Sequence, residues 1–175
     1  ENNNGKMSVT DKYGKKHTGD YCIVATGGMS YQSTGSTGDG YKFARNFEMD
    51  VNKAYPSLVP LNIKEEMCRN LQGLSLKNVN LKVVDEKGEE YYNEQGEMIF
   101  THFGISGPLV LSASCYICDK LKDHDFKCYI DLKPALNLET LDKRILKDFE
   151  ENINRNFNNS LDKLLPRKII EPVIT

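Results

Sequence analysis

Long hydrophobic runs, an excess of one charge and a regular set of cysteines are all missing from this 175-residue sequence. No apolar stretch approaches the roughly 18 residues that a membrane-spanning helix needs, so we expect no membrane association. Basic and acidic side chains number 23 and 25, a balance that does not indicate the broad basic surface of a nucleic-acid-binding protein. Five cysteines, an odd and scattered set, argue against a secreted disulfide scaffold and favour a reducing cytoplasm.

The remaining composition is that of a folded protein, with 39% hydrophobic and 27% charged residues. Its patterning predicts an α+β fold in three stretches, which cover residues 1–50, 51–134 and 135–175. The first residue is Glu1 rather than an initiator methionine. We therefore expect the chain to be an internal piece of a longer protein.

The first stretch has a pattern typical of ligand-binding α/β proteins. Residues 2–20 are polar with turn-forming glycines and predict a short hairpin, while the apolar run Tyr21–Ala25 predicts a strand buried inside a sheet. A glycine-rich loop over 26–40 follows, and Thr37 or Asp39 is expected to cap a helix over 40–47. Ligands bind where such a loop leaves the carboxyl edge of a sheet, although the same glycines also suit an ordinary connecting loop.

The second stretch predicts a small antiparallel sheet or barrel with one helix. Short alternating or apolar segments joined by turns predict strands over 74–84, 89–92, 98–100 and 126–132. Ser106 is expected to cap the helix, with Pro108 in its first turn. The buried stripe of this helix is predicted to contain Val110, Ser114, Ile117, Cys118 and Leu121.

The third stretch predicts a helical subdomain that is truncated at the end of the chain. Asn137 is expected to cap a helix, and Ser160 begins a shorter one that Pro166 or Pro172 disturbs. The apolar residues of the longer helix recur with the helical period at Leu138, Leu141, Ile145, Phe149 and Ile153.

The glycine-rich loop resembles two nucleotide-binding motifs but matches neither of them. A dinucleotide fingerprint needs G-x-G-x-x-G directly after a strand, whereas the glycines here are Gly35, Gly38 and Gly40. Gly35 and Gly40 have P-loop spacing, but Tyr41 occupies the position of the phosphate-binding lysine. ATP binding through a P-loop is therefore not expected.

The cysteine and histidine residues give weaker indications of chemistry. Cys115 and Cys118 form a single C-x-x-C pair inside the predicted helix, which favours packing over zinc or thiol-redox chemistry, and no metal site is expected. His102 lies between a predicted strand and a helix N-terminus, where backbone N–H groups suit electron-rich atoms. A lone histidine is also often structural, and neither a Ser/His/Asp set nor a carboxylate pair can be assembled.

Four ordered blocks carry a resemblance that covers most of the chain. The segment Ala25-Thr26-Gly27-Gly28-x-Ser30-Tyr31-x-x-Thr34-Gly35-Ser36-Thr37-Gly38-Asp39-Gly40-Tyr41 resembles the signature of the BaiN/YhiN family of NAD(P)/FAD-dependent flavoproteins. Residues 56–61, 73–79 and 96–108 are similar to further blocks of that family in the same order, and 164–167 fit its helical region. One departure is Gln32, where the family usually has proline.

The resemblance implies part of an FAD-binding α/β domain over 1–50 and an inserted small antiparallel β-barrel with a helical subdomain over 51–175. It implies an FAD-dependent oxidoreductase that uses FAD, with NAD(P)H as a possible reductant and a small-molecule substrate, whose isolated fragment is inactive. His102 and Ser106 are the catalytic candidates. The expected cofactor-binding residues are Ala25, Thr26, Gly27, Gly28, Ser30, Tyr31, Thr37, Gly38, Asp39, Gly40, Thr101, Gly104, Ser106 and Gly107. The alternatives are a non-catalytic module that binds a protein or small molecule, and a thiol-redox protein that uses Cys115 and Cys118.

Overall fold

The computed structural model describes residues 2–3, 5–153 and 156–174. The chain divides into two compact units, Glu1–Ala54 and Tyr55–Thr175, called here the first and second unit. In the described ranges, no helix combines the length and the apolar content that crossing a membrane requires.

The first unit contains a three-stranded antiparallel sheet followed by one turn of 3-10 helix and one α-helix. Its strands are β1 (Asn2–Asn3), β2 (Lys6–Thr10) and β3 (Lys16–Gly19), and β2 and β3 form the hairpin that the sequence predicts. Asp11 fixes the hairpin turn, because its Oδ1 accepts the N–H groups of Tyr13 and Lys15 at 2.9 and 3.0 Å.

The prediction of a buried strand over Tyr21–Ala25 is wrong for this chain. These residues pair with no strand of the described chain, and the side chains of Tyr21 and Ile23 are 93% and 90% exposed. A strand that is apolar on both faces needs a neighbouring strand on each edge and a layer above and below it. The described part of the first unit supplies only the small β1–β3 sheet, which leaves this run without them.

The helix of the first unit, α1, covers Asp39–Asn46 and has a different cap from the predicted one. Gly38 is the N-cap residue in the left-handed conformation, at φ 80°, and no side chain caps the helix. Thr37 instead donates from Oγ1 to Asp39 Oδ2 at 2.9 Å. Asp39 lies in the first turn, where its charge is favourable to the helix dipole.

The second unit is built on a curled five-stranded antiparallel sheet, which confirms the predicted α+β, barrel-like architecture. The strands occur in the order β4-β7-β6-β5-β8. Their bounds are Leu61–Asn62 for β4, Ser75–Asp85 for β5, Glu90–Phe100 for β6, Gly104–Ser106 for β7 and Phe126–Asp131 for β8.

Two features give the long β5–β6 hairpin its shape. The register shifts between Leu76 and Val79, where Asn78 has φ 53°, and such a bulge bends the sheet. The sequence predicts separate strands over 89–92 and 98–100, but β6 is continuous. Gly96 does not interrupt β6. The side chain of Leu109 fills the space beside this glycine, 3.2 Å from where its Cβ would be.

Helix α3 (Pro108–Ile117) follows the short helix α2 (Met67–Asn70) and covers the sheet. The core between them contains Leu81, Val83, Met98, Phe100, Ile105, Leu109, Val110, Ala113 and Ile117. The predicted proline in the first turn is confirmed, but Gly107 rather than Ser106 is the N-cap residue, because Ser106 belongs to β7. The helix ends before Leu121, which is 48% exposed and lies outside the core.

The C-terminal helices are α4 (Leu138–Glu151), α5 (Phe157–Ser160) and α6 (Arg167–Ile174), with Pro172 inside α6. A second apolar cluster joins α4 to the residues that follow it and contains Leu141, Ile145, Phe149, Leu161, Leu164 and Ile170. The outer residues of the predicted α4 stripe, Leu138 and Ile153, are 85% and 82% exposed. Only the middle of the stripe is therefore used in packing.

The predicted N-cap of α4 is confirmed, and its stability effect can be measured. Asn137 Oδ1 accepts the N–H of Thr140 at 2.8 Å. Replacing Asn137 by alanine is expected to lower the free energy of unfolding by about 1 kcal/mol in urea denaturation. Asn137→Asp keeps a capping oxygen and is expected to retain most of the stability. Equal losses in both variants would contradict this role.

Candidate functional site

The two ends of the glycine-rich loop lie directly against each other in the first unit. A Cβ on Gly27 would be 2.7 Å from Ser36 Oγ, and one on Gly40 would be 2.9 Å from Thr26 Oγ1. The N–H of Gly38 donates to the carbonyl of Gly28 at 3.1 Å. The structure thus brings together the predicted residues of segments 26–28 and 37–40, with the side chains of Thr26 and Ser36 packed against glycine backbone, in an arrangement called here the cradle.

The other predicted residues of this loop are more open. Tyr31 is 73% exposed, and its carbonyl accepts the hydroxyl of Thr34 at 2.7 Å. Ala25 and Ser30 are also exposed.

A recess of about 270 Å³ opens beside the cradle. It is lined by Thr37 and Gly38 of the loop, by Met29 and Tyr41, and by the basic residues Lys42, Arg45 and Lys53. Lys42 Nζ donates to Asp39 Oδ1 at 2.8 Å, and this bond, with that from Thr37, lowers the pKa of the Asp39 carboxyl. Basic side chains beside close-packed backbone suit a ligand that carries phosphate groups.

The predicted residues of the Thr101–Gly107 junction are brought together in the second unit. Thr101 and Gly104 close a tight turn, with Thr101 N–H donating to the Gly104 carbonyl at 2.8 Å and Gly104 N–H donating to Thr101 Oγ1 at 3.1 Å. Ser106 is half-buried in β7. His102 is exposed, and its ring meets the edge of the Phe103 ring with centroids 4.9 Å apart.

Both glycines of this junction have a packing role. A Cβ on Gly104 would overlap the carbonyl oxygen of Leu61, and one on Gly107 would be 2.9 Å from Met98 Cα. Because neither residue has a side chain, β4, β6 and β7 can approach one another closely at these two positions, regardless of any ligand. The expectation that the junction and the glycine-rich loop contact one flavin stays a prediction.

Comparison with known families identifies the second unit. The family described as "HI0933-like protein barrel and H2TH domain" matches residues 55–175, which is most of the chain and coincides with the second unit. The chain belongs to the HI0933-like family. The antiparallel half-barrel and the helices after it agree with the two parts of that description.

Two curated relatives extend the comparison into the first unit. The chain is 30% identical over 149 residues to a protein of Escherichia coli named "Ribosomal RNA dihydrouridine synthase". It is 34% identical over 151 residues to a protein of the same name from Haemophilus influenzae. Each match covers 85% of this chain but only 34% of the relative. The chain thus spans about a third of the length of the curated relatives it matches.

In the HI0933-like barrel, the thiol of Cys115 makes a contact that the sequence does not indicate. Cys115 is exposed on α3, and its Sγ lies 3.0 Å from Ser57 Oγ. This hydrogen bond, with one from the Leu58 backbone, lowers the pKa of the Cys115 thiol. Leu58 has φ 54°, and the next N–H, that of Val59, donates to Ser114 Oγ at 3.0 Å. Nothing in the spacing of 57 and 115 could have indicated this contact.

Cys115 is expected to react with iodoacetamide at least about tenfold faster than Cys128 near neutral pH, because the thiolate is the nucleophile. Cys128 is half-buried, and burial raises the pKa of its thiol to about 11. As the pH is raised, the labelling rate of Cys115 should therefore reach its plateau at a lower pH than the rate of an ordinary thiol does. The labelling rate of Cys128 should still be rising at that pH. Mass spectrometry of the labelled peptides measures both rates. Ser57→Ala should slow labelling of Cys115 only, and an unchanged rate in that variant would refute this cause.

A second cluster missed by the sequence lies at the β5–β6 turn of the HI0933-like barrel. Possible ligand atoms of Asp85, Glu86 and His124 lie within 4.8 Å of one another. Asp85 Oδ1 already accepts the N–H groups of Lys87 and Glu89, and His124 Nδ1 lies 3.0 Å from Glu86 Oε1. These bonds account for the cluster as part of the turn. The pKa of the Glu86 carboxyl is lowered by a hydrogen bond from its own backbone N–H first and by His124 second.

Proposed function

We propose that this chain is the internal part of an FAD-dependent oxidoreductase of the BaiN/YhiN type. The observation that carries the proposal is the close-packed cradle of residues 26–28 and 36–40 in a chain whose second unit is HI0933-like. Glycine backbone lets a large, phosphate-bearing cofactor approach the main chain closely, where backbone N–H groups can bind its polar atoms. The basic recess beside the cradle also supports the binding of a phosphate-bearing cofactor there.

The residues of the chain would bind and orient the cofactor. Backbone N–H groups of the cradle would approach its polar atoms, and Lys42 or Arg45 would neutralise phosphate charge. The N-terminus of α3, which begins at Pro108, offers a positive dipole end that favours negative charge nearby. FAD, when bound, supplies hydride chemistry, with NAD(P)H as its proposed source of electrons.

The name of the two relatives suggests the substrate of the whole protein. A dihydrouridine synthase reduces the C5–C6 double bond of uridine, which adds one hydride and one proton to the base. We propose the same class of substrate, a uridine in ribosomal RNA, for the full-length protein, which also places it in the cytoplasm with the ribosomes. This proposal differs from the small-molecule substrate that the family resemblance implied, and from the expectation, based on a nearly neutral overall charge, that the protein does not bind nucleic acid. His102, exposed on its turn, and Ser106 are the proposed candidates for handling the proton.

Mapping dihydrouridine in ribosomal RNA tests this function. A strain that lacks the full-length gene is expected to lose the modification at one position, and the gene on a plasmid should restore it. A plasmid that encodes the Gly27→Val protein should restore it poorly, because the cradle is disturbed. An unchanged dihydrouridine content in the deletion strain would exclude the proposed substrate.

The 175-residue chain alone is expected to bind FAD weakly and to be inactive. It covers about a third of its relatives, and it lacks the G-x-G-x-x-G turn that binds the FAD pyrophosphate in two-domain flavoproteins. Incubation with FAD followed by gel filtration and an absorption spectrum measures retention. Stoichiometric flavin in the protein peak would show this expectation to be wrong.

A further inference from the structure

A cleft of about 390 Å³ separates one end of β6 from helix α3 in the second unit. It is lined by Tyr92 and the consecutive residues 94–97 of β6, and by Pro108, Leu109, Ser112 and Tyr116 of α3. Tyr92, Glu94 and Gly96 share one face of the strand, and Pro108, Ser112 and Tyr116 share one face of the helix. No residue of the Thr101–Gly107 turn lines the cleft, and Cys115 does not line it either.

Two tyrosine rings form the aromatic part of the cleft. Their centroids are 5.7 Å apart, with the ring planes at 44°. Tyr92 is buried and hydrogen-bonds with Ser112, whereas Tyr116 is 55% exposed. The ring of Tyr92 is therefore held in place, and Tyr116 exposes much of its ring to a ligand.

The charged groups of the cleft all have the same sign. Glu94 and Glu97 are both exposed, and among the described residues that line the cleft none is lysine, arginine or histidine. Two lysines of neighbouring segments are engaged elsewhere, since Lys82 pairs with Glu90, and Lys120 Nζ binds Asp119 and the carbonyl of Tyr116. The cleft therefore combines exposed aromatic surface with the carboxylate of Glu94 on the same face of β6, and no basic residue of its lining neutralises that carboxylate.

We propose that the cleft between β6 and α3 binds an arginine side chain of a partner polypeptide. A guanidinium group is planar, stacks on a tyrosine ring and donates paired hydrogen bonds to a carboxylate, which matches the Tyr116 and Glu94 pair. An ammonium group uses the carboxylates but stacks less well. The volume exceeds what one guanidinium needs, and the remaining space admits the backbone that carries it. This proposal is independent of the flavin function.

Titration of the ¹⁵N-labelled chain with capped Gly-Arg-Gly tests the proposal by NMR. Saturable shifts are expected at the amides of Tyr92, Gly96 and Tyr116. The citrulline peptide, which has the same shape without the charge, should bind about tenfold more weakly, and the lysine peptide about threefold more weakly. Equal binding of the citrulline peptide would overturn the proposal. Binding of free arginine amide as tight as that of the peptide would overturn the choice of a polypeptide partner.

Matched variants locate the binding in the cleft. Tyr116→Ala and Glu94→Gln are each expected to weaken the arginine peptide about threefold. Tyr129 on β8 is equally exposed, at 54%, and does not line the cleft, so Tyr129→Ala should leave the affinity unchanged. Urea unfolding of each variant confirms that it is folded. Unchanged affinity in a folded Tyr116→Ala protein, or an equal loss in Tyr129→Ala, would refute the site.

Discussion

Replacing Gly107 by alanine is expected to lower the free energy of unfolding of the second unit by about 3 kcal/mol, a large part of the stability of a small domain. Gly107 has φ 98° and ψ 173°, a region that essentially only glycine adopts and that costs another residue about 1–3 kcal/mol. The new Cβ would also be 2.9 Å from Met98 Cα and 3.3 Å from Ile99 N. Because these are backbone atoms of β6, no rotation of a side chain relieves the contact, and overpacking of this kind costs about another 1–3 kcal/mol.

Gly88 provides the matched control for this prediction. Its φ of 86° is close to that of Gly107, but nothing lies within 4 Å of the position of its Cβ. Gly88→Ala should therefore cost only the conformational part, about 1 kcal/mol. Urea unfolding followed by circular dichroism compares the two variants. If they lose the same stability, the close approach of Gly107 to β6 does not exist in solution.

Replacing Gly27 by valine in the full-length protein is expected to reduce the flavin that copurifies by about tenfold, which corresponds to about 1.4 kcal/mol of binding free energy. Gly27 has φ 70°, and its Cβ would be 2.7 Å from Ser36 Oγ and 3.4 Å from Ser36 Cβ. A β-branched side chain there would push apart the two segments that form the cradle. The backbone groups that we propose to contact FAD would then lose their arrangement.

Two further variants separate this effect from backbone strain alone. Gly35 in the same loop has φ 95° with nothing within 4 Å of its Cβ position, so Gly35→Val should keep most of the flavin. Gly27→Ala combined with Ser36→Ala removes the closest contact and should retain more flavin than Gly27→Ala does by itself. The flavin absorbance per amount of protein measures the flavin content of each of these variants. Loss of flavin in Gly35→Val as great as in Gly27→Val would contradict a specific role for the cradle.

Local patterns predicted those parts of the fold that depend on local contacts. The alternation from Leu74 to Val84 predicted β5, and the Asn137 signal predicted the cap of α4, because each is decided within a few residues. The run Tyr21–Ala25 shows the opposite case. Its composition indicates burial, but burial requires neighbours that the described chain does not supply.

The candidate site could be predicted in part, and for a similar reason. The glycines of segment 26–40 indicated close backbone approach, and the structure shows it between the two ends of that segment. Gly104 and Gly107 gave the same indication, yet their neighbours are strands of the barrel. A glycine in a sequence reports that a side chain does not fit, but the group that excludes it appears only in three dimensions. The contact of Ser57 with Cys115 and the cleft beside Tyr116 depend in the same way on long-range packing.

The visible absorption spectrum of the purified full-length protein tests the central claim most directly. We predict flavin bands, stoichiometric release of FAD on denaturation, and bleaching of the bands when NADH or NADPH is added without oxygen. A full-length protein that is folded but colourless, and stays colourless after incubation with FAD and gel filtration, would contradict it.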